Sequence, residues 1–288
     1  MTAASAVANV LSFDLEHWHT ATLLRDVVTD RTDRIDESVT VVTDLLDEHD
    51  VRATFFTVGE VAREYPAVVA DLAADGHEIA SHGHTHTPLY ELDEATFERE
   101  LALSTDAIRD VTGERPIGFR APNFSVGPRT RWAFDALDAA AFRYDSSLFP
   151  VRTPMYGVSG APIRPYALRQ VRPFVGDGDV EEVDSFLEFP LAVFNPSFRL
   201  PIAGGFYARM LPVGVLKRGI RSLNRRGIPA TLYFHPWEFN PAVVTNGIAP
   251  HKRFVSFHGI ERLEGKLDAL LDSFVFDSVQ GVIDRHGW

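Results

Sequence analysis

Val7-Ala8-Asn9-Val10-Leu11-Ser12-Phe13-Asp14-Leu15-Glu16-His17-Trp18-His19 is an apolar run that breaks into carboxylates and imidazoles. Val7 to Phe13 reads as a buried strand. Asp14 and Glu16 stand two apart at its C-terminal end, so their side chains share a face, about 6 to 7 Å apart along the backbone. In a parallel barrel that end of the strands is where catalytic groups gather. The plain alternative is an ordinary polar strand end.

Outward from this strand the chain alternates between helix and strand. Arg34 to His49 carries Ile35, Val39, Val42, Leu45 and Leu46 at helical spacing, with acids on the other face. Ala53 to Val58 is a second apolar run, and Val61 to Ala74 a second helix stopped by Gly76. A short strand, Glu78 to Ala80, leads into a histidine-rich segment, and Asp93 caps a long helix to about Val111 with Gly113 beyond it. Ile117 to Phe119 and Phe142 to Tyr144 read as short strands around a helix near Thr130 to Ala139.

From Val151 to Phe206 the rhythm breaks, because Pro150, Pro154, Pro162, Pro165 and Pro173 preclude a long helix. The expectation there is a decorated loop region, acting as a lid or binding loop or hiding a short hairpin. Regularity returns with a helix over Val213 to Arg226, a strand over Ala230 to Phe234 and a final helix around Ile260 to Leu271. Successive βα units predict an α/β fold and favour a parallel barrel, complete or distorted, over a doubly wound sheet. No glycine-rich dinucleotide fingerprint supports the alternative. A single domain over residues 1–288 is expected.

The 288 residues are 45% apolar, enough for a full core, and include no cysteine, which excludes disulfides, thiolate metal sites and cysteine nucleophiles. The formal net charge of −12 argues against nucleic acid as a partner, since phosphate binding depends on clustered Lys and Arg. No window approaches the roughly 18 uninterrupted apolar residues of a membrane span, so none is expected. Met1 to Leu11 carries no Lys or Arg and does not read as a secretory leader. A cytoplasmic location, with the inner membrane face as an alternative, is the expectation.

Three further segments place polar groups after apolar runs. In Glu78-Ile79-Ala80-Ser81-His82-Gly83-His84-Thr85-His86, His82 and His86 are at i and i+4, a spacing that converges on one metal if the stretch turns as a helix. His84 would then point elsewhere. Two imidazoles and one carboxylate leave open positions for water and substrate, as catalytic zinc sites require. Phe119-Arg120-Ala121-Pro122-Asn123 puts a guanidinium at a strand end, where it can orient a carboxylate. Tyr233-Phe234-His235-Pro236-Trp237-Glu238 puts an imidazole at the end of the strongest late strand, with a pKa suited to proton donation near neutrality.

With these clusters in order, the chain resembles the polysaccharide deacetylases with a NodB-type homology domain, related to carbohydrate esterase family 4. The resemblance runs through Phe13-Asp14-Leu15-Glu16, His82-Gly83-His84-Thr85-His86, Phe119-Arg120-Ala121-Pro122, Tyr144-Asp145-Ser146-Ser147 and Phe234-His235-Pro236-Trp237-Glu238. It is closest to the branch found with exopolysaccharide and exosortase gene clusters. It implies a distorted (β/α) barrel, a divalent metal held by one carboxylate and two histidines, an aspartate base and a histidine acid. Zinc is the expected ion, with cobalt, manganese or nickel as alternatives.

One departure bears on the roles. Family members with two adjacent aspartates use the first as base and the second as ligand, whereas Leu15 takes the second place here. Glu16 is therefore expected to join His82 and His86 as a ligand, which resembles a variant branch carrying Asp-x-Asp. Asp14 is then the base, Arg120 its partner and His235 the acid. The metal and a backbone N–H near the Tyr144 to Ser147 turn are expected to stabilise the oxyanion. Trp18, Pro122, Asn123 and Trp237 are the candidate substrate contacts, with Phe124 sharing an apolar wall.

The function this implies is removal of N-acetyl groups, or alternatively O-acetyl groups, from amino-sugar glycans or their precursors, with a carbohydrate substrate as partner. The variant branch also holds hydrolases of other amide C–N bonds, including allantoinase-like relatives. A non-catalytic carbohydrate-binding protein on the same fold is a further alternative. A glycoside hydrolase would use paired carboxylates but has no need of the histidine pair.

Overall fold

The first expected strand forms as β1 (Asn9–Leu15), every residue of it buried, in a computed structural model that describes residues 7–29, 31–153, 156–168, 186–194 and 198–288. It is followed by α1 (Ile35–Glu48), β2 (Thr54–Thr57), α2 (Gly59–Glu64), α3 (Pro66–Ala74) and β3 (Glu78–Ser81). The single helix predicted over Val61 to Ala74 is thus two. Pro66 biases Tyr65 out of the helical region, so α2 ends at Glu64, and Pro66 then serves as the first residue of α3.

Next comes α4 (Glu94–Thr112), which starts where Asp93 accepts from the Thr96 amide and stops at Gly113, left-handed at φ 78°. β4 (Gly118–Phe119), α5 (Trp132–Ala139) and β5 (Tyr144–Asp145) complete the expected first half. The region from Val151 to Phe206 holds more structure than a loop. It contains β6 (Tyr166–Ala167), β7 (Leu187–Glu188), β8 (Val193–Phe194) and β9 (Leu200–Pro201), and it runs into α6 (Gly205–Met210). β8 and β9 form an antiparallel hairpin. Pro154 and Pro173 lie outside the described residues.

The last third comprises α7 (Val213–Asn224), β10 (Thr231–Phe234), α8 (Pro250–Phe257), α9 (Leu263–Leu271), β11 (Phe276–Asp277) and α10 (Val279–His286). The helix expected around Ile260 to Leu271 is therefore not the final one. Ser278 accepts from the Gly281 amide to start α10, which buries Val279, Val282 and Ile283.

The strands lie in the order β10-β1-β2-β3-β4-β5-β7-β6, and β11 pairs the start of β1. Every pairing along this sheet is parallel except β6 with β7. Beyond β7 the chain crosses toward the far edge, where the Ala192 amide donates to the Thr231 carbonyl of β10. The sheet is thereby curled into a distorted (β/α) barrel. Its larger apolar cluster joins Phe13, Phe55 and Leu232 of the strands to Val42, Leu72 and Ile220 of the helices. Each such side chain contributes about 1.5–3 kcal/mol when fully buried.

A smaller cluster joins Val10, Phe56, Ala80, Tyr144 and Phe189 to the apolar face of α10. The Gln280 amide donates to Glu78 at the start of β3, so α10 sits at the N-terminal end of the strands. The opposite end is left for polar groups. No helix among the described residues is long and apolar enough to cross a membrane.

Candidate active site

Strand register sets the level of the polar groups. Phe13 pairs with Phe234, so Asp14 and His235 come next on adjacent strands. Leu15 pairs with Thr57 and Thr57 with Ser81, which brings Glu16 and His82 to one level across β2. Ser81 pairs with Phe119, so His82 and Arg120 follow side by side. Short parallel strands thus deliver all five residues to one end of the sheet.

Glu16, His82 and His86 each offer a ligand atom within 4.8 Å of the others, and all three are buried. Glu16 Oε2 lies 2.5 Å from His86 Nε2. His82 Nδ1 is 2.8 Å from the Arg120 carbonyl, an acceptor, so Nδ1 carries the proton and Nε2 is left with its lone pair. Burial, followed by the neighbouring His86, holds His82 well below the usual imidazole pKa, in the neutral form a cation needs. Burial works against ionisation of Glu16, but His86, His235 and His82 together keep its carboxyl below the ordinary range. Two imidazoles and a carboxylate that converge in one buried group fit a divalent cation.

The histidines do not converge through a helical turn, as the i, i+4 spacing predicted. Residues 82–86 form an irregular loop, with Gly83 at φ 75° and His86 at φ 57°, both left-handed. The amides of Gly59 and Glu60 donate to the Gly83 and His84 carbonyls. Glu100 of α4 accepts from the amides of His84 and Thr85. His84 itself turns away, its Nε2 3.3 Å from Arg63.

Asp14 stands beside this group. Its Oδ1 takes a 2.6 Å bond from Arg120 Nη1, and its Oδ2 lies 3.9 Å from His82 Nε2. Arg120 is fully buried, donates from Nε to the Ser146 carbonyl and from Nη2 to Ser146 Oγ, and lies 3.9 Å over the Phe56 ring. The guanidinium therefore has a fixed orientation, and Asp14 inherits it.

On the other side His235 Nε2 is 3.5 Å from Glu16 Oε1, and its Nδ1 is 3.0 Å from Glu238 Oε2. Burial lowers the affinity of His235 for a proton, but the bond to Glu238 and the charge on Glu16 more than offset it, raising its pKa to about 9. Glu238 also accepts from the His235 amide, which makes it the reciprocal partner at the start of the short 3-10 turn Pro236–Phe239. Its second oxygen, Oε1, accepts from Arg209 Nη2 at 3.0 Å. Sequence reading singled out neither role. The signal available for Glu238 was its place three residues after His235; for Arg209 there was none.

These groups open on a cavity of about 390 Å³ lined by Asp14, Glu16, His82, His86 and His235. Of the expected substrate contacts, Asn123 and Trp237 line it, with Phe124 beside them. Trp18 and Pro122 do not. Trp18 is 3% exposed and packs with Leu24, Val28 and Trp237 in an apolar cluster, and its indole donates to the Thr32 carbonyl. Pro122 is buried against Gly83. The remaining walls include Tyr156, Phe206, Tyr207 and Tyr233. At the 144–147 turn the amides of Tyr144, Ser146 and Ser147 are held by the Ile117 carbonyl, the Phe119 carbonyl and Asp145 Oδ2.

Comparison with known proteins gives the family and the fold. Residues 27–142 match the family described as polysaccharide deacetylase, and residues 146–284 match a domain of unknown function (DUF3473). A chitooligosaccharide deacetylase from Sinorhizobium fredii is 35% identical over 101 residues, which are 35% of this chain and 44% of that protein. A peptidoglycan-N-acetylglucosamine deacetylase from Bacillus cereus is 31% identical over 81 residues, 28% of this chain and 30% of that protein. The chain thus spans less than half the length of these curated relatives. Among solved structures, a candidate polysaccharide deacetylase from Mycobacterium smegmatis superposes with a TM-score of 0.60 at 20% identity, covering 99% of this chain and 92% of that one. A carbohydrate esterase family 4 pseudoenzyme from Bacillus anthracis gives 0.51 at 13% identity, covering 97% and 66%. These two likenesses establish the fold.

Proposed function

From a chain whose residues 27–142 belong to the polysaccharide deacetylase family, we propose a metal-dependent hydrolase that removes N-acetyl groups from amino-sugar glycans or their precursors. The observation that carries this reading is the convergence of Glu16, His82 and His86 in one cavity with Asp14 and His235 on either side. We read residues 1–288 as a single catalytic unit, because strands from both matched segments share one sheet.

Glu16, His82 and His86 would hold a divalent cation, zinc first by ligand type with cobalt, manganese or nickel as alternatives. When bound, such an ion polarises the acyl carbonyl and makes water a better nucleophile. Asp14 receives the proton from the attacking water: its Oδ1 is held by Arg120, which leaves Oδ2, on the His82 side, as the accepting atom. Arg120 holds that carboxylate in a fixed orientation. His235 faces the site through Nε2 and delivers a proton to the departing amine nitrogen, its own proton affinity sustained by Glu238 at Nδ1. Asn123, Phe124 and Trp237 on the cavity wall are the contacts available to the sugar and to the acetyl methyl.

The test is acetate release from penta-N-acetylchitopentaose and from N-acetylated sugar nucleotides, with and without chelator. Chelator-sensitive acetate with no new reducing ends is the expected result. New reducing ends without acetate would replace this reading with glycoside hydrolysis, and saturable sugar binding without either product would replace it with a binding protein.

A further inference from the structure

We propose that α6 is a positioning device for His235, with Gly205 and Arg209 acting through Glu238; this rests on the reading of His235 as the acid. The Glu238 carboxylate packs directly on the backbone of α6. A Cβ added at Gly205 would stand 1.9 Å from Glu238 Oε2 and 2.2 Å from its Cδ and Oε1, so only glycine admits the carboxylate where it lies. At the preceding position a Cβ on Gly204 would meet the Tyr233 ring at 2.7 Å, and its backbone is left-handed at φ 91°. The Gly204-Gly205 pair is what lets the segment approach the end of β10.

One turn further along α6, Arg209 secures the other side of the carboxylate. Its Nη2 donates to Glu238 Oε1 at 3.0 Å, with both side chains at most 3% exposed. The guanidinium is itself fixed, Nη1 on the His258 carbonyl at 2.9 Å and Nη2 on the Val255 carbonyl at 3.0 Å. Lys266 Nζ ties down the end of the helix by donating to the carbonyls of Ala208, Arg209 and Leu211 at 2.8, 2.8 and 2.9 Å.

With Oε1 engaged by Arg209, Oε2 is the oxygen presented to the His235 amide and to Nδ1, both at 3.0 Å. A carboxylate in this place sets the rotation of the imidazole and keeps a proton on Nδ1, so that Nε2 is the atom turned to the cavity. The neutral alternative is an ion pair that merely supports the fold.

The leaving group separates the two. An amide needs its nitrogen protonated as it departs, whereas 4-nitrophenolate leaves unaided, so a misplaced acid slows the first reaction and spares the second. On the whole metal-loaded chain, Arg209→Met and Gly205→Ala are expected to lose about 10- to 100-fold in kcat on penta-N-acetylchitopentaose, with 4-nitrophenyl acetate hydrolysis within about twofold of wild type. Arg209→Lys should recover part of the amide rate. His235→Ala reports on the underlying reading: equal loss on both substrates, or none, rejects His235 as the acid. If His235→Ala is amide-selective while Arg209→Met and Gly205→Ala match wild type, or lose amide and ester together, α6 has no positioning role.

A second readout needs no turnover. The hydrogen-bonded ring N–H proton of His235, assigned by its absence in His235→Gln, should shift or vanish from the NMR spectrum of Gly205→Ala and of Arg209→Met and return in Arg209→Lys. An unmoved resonance in folded Gly205→Ala overturns the proposal.

Discussion

Arg120 Nη1 lies 2.6 Å from Asp14 Oδ1, with the two side chains 0% and 2% exposed. Burial keeps bulk solvent from replacing a lost partner, so removing one leaves the other's charge poorly compensated. Arg120→Met is expected to lower deacetylation by about 100-fold or more and to cost about 3–5 kcal/mol of stability. Combining it with Asp14→Asn should return much of the stability and none of the rate. Urea melts of the single and double variants check this; additive losses of stability would show that the pair is not coupled.

His235→Ala should keep its metal and lose turnover on amides, because Nε2 lies beside Glu16 but Glu16, His82 and His86 form the converging set. Metal analysis alongside acetate assay decides it. A variant that purifies without metal would make His235 a ligand.

A pH effect on stability should come from His77. It is 5% exposed, and its Nδ1 accepts from the Ala53 amide at 3.3 Å, a bond that requires an unprotonated nitrogen. Burial, followed by the charge on Arg52, depresses its pKa to about 4. The unfolded chain binds this proton from about pH 6.5 downward, so the contribution is complete above that pH and declines as pH falls toward 4. The full loss is on the order of 3 kcal/mol for such a shift. Melting temperatures between pH 7 and 4 should fall more steeply for wild type than for His77→Gln, whose amide oxygen can still accept; parallel curves would remove His77 from the account.

The features legible in the sequence are those with a long period or a sharp cap. α4 is announced by Asp93 and Gly113, and β1 by an apolar run that ends at Asp14. Because the C-terminal ends of these parallel strands lie in register, finding Asp14, Glu16, His82, Arg120 and His235 at strand ends was enough to bring them together. Two-residue strands such as β7 and β11 carry no alternation and left no trace.

What escaped notice depends on backbone geometry or on distance along the chain. His82 and His86 meet because Gly83 and His86 are left-handed, which spacing alone cannot show. Trp18 resembled a ring for sugar stacking, yet its neighbours Leu24 and Val28 make it core. The amides of Tyr144, Ser146 and Ser147 are held by the Ile117 and Phe119 carbonyls and by Asp145, a competition visible only once the strands are paired. Arg209 reaches Glu238 across 29 residues.

The assignment of the metal to Glu16 and of the proton to Asp14 is decided by the metal content of two purified variants. Glu16 converges with both histidines, while Asp14 is committed through Oδ1 to Arg120. Glu16→Ala should therefore be isolated without metal and without activity, whereas Asp14→Asn should retain most of its metal and lose the rate. An empty Asp14→Asn beside a loaded Glu16→Ala would contradict the assignment and exchange the two roles.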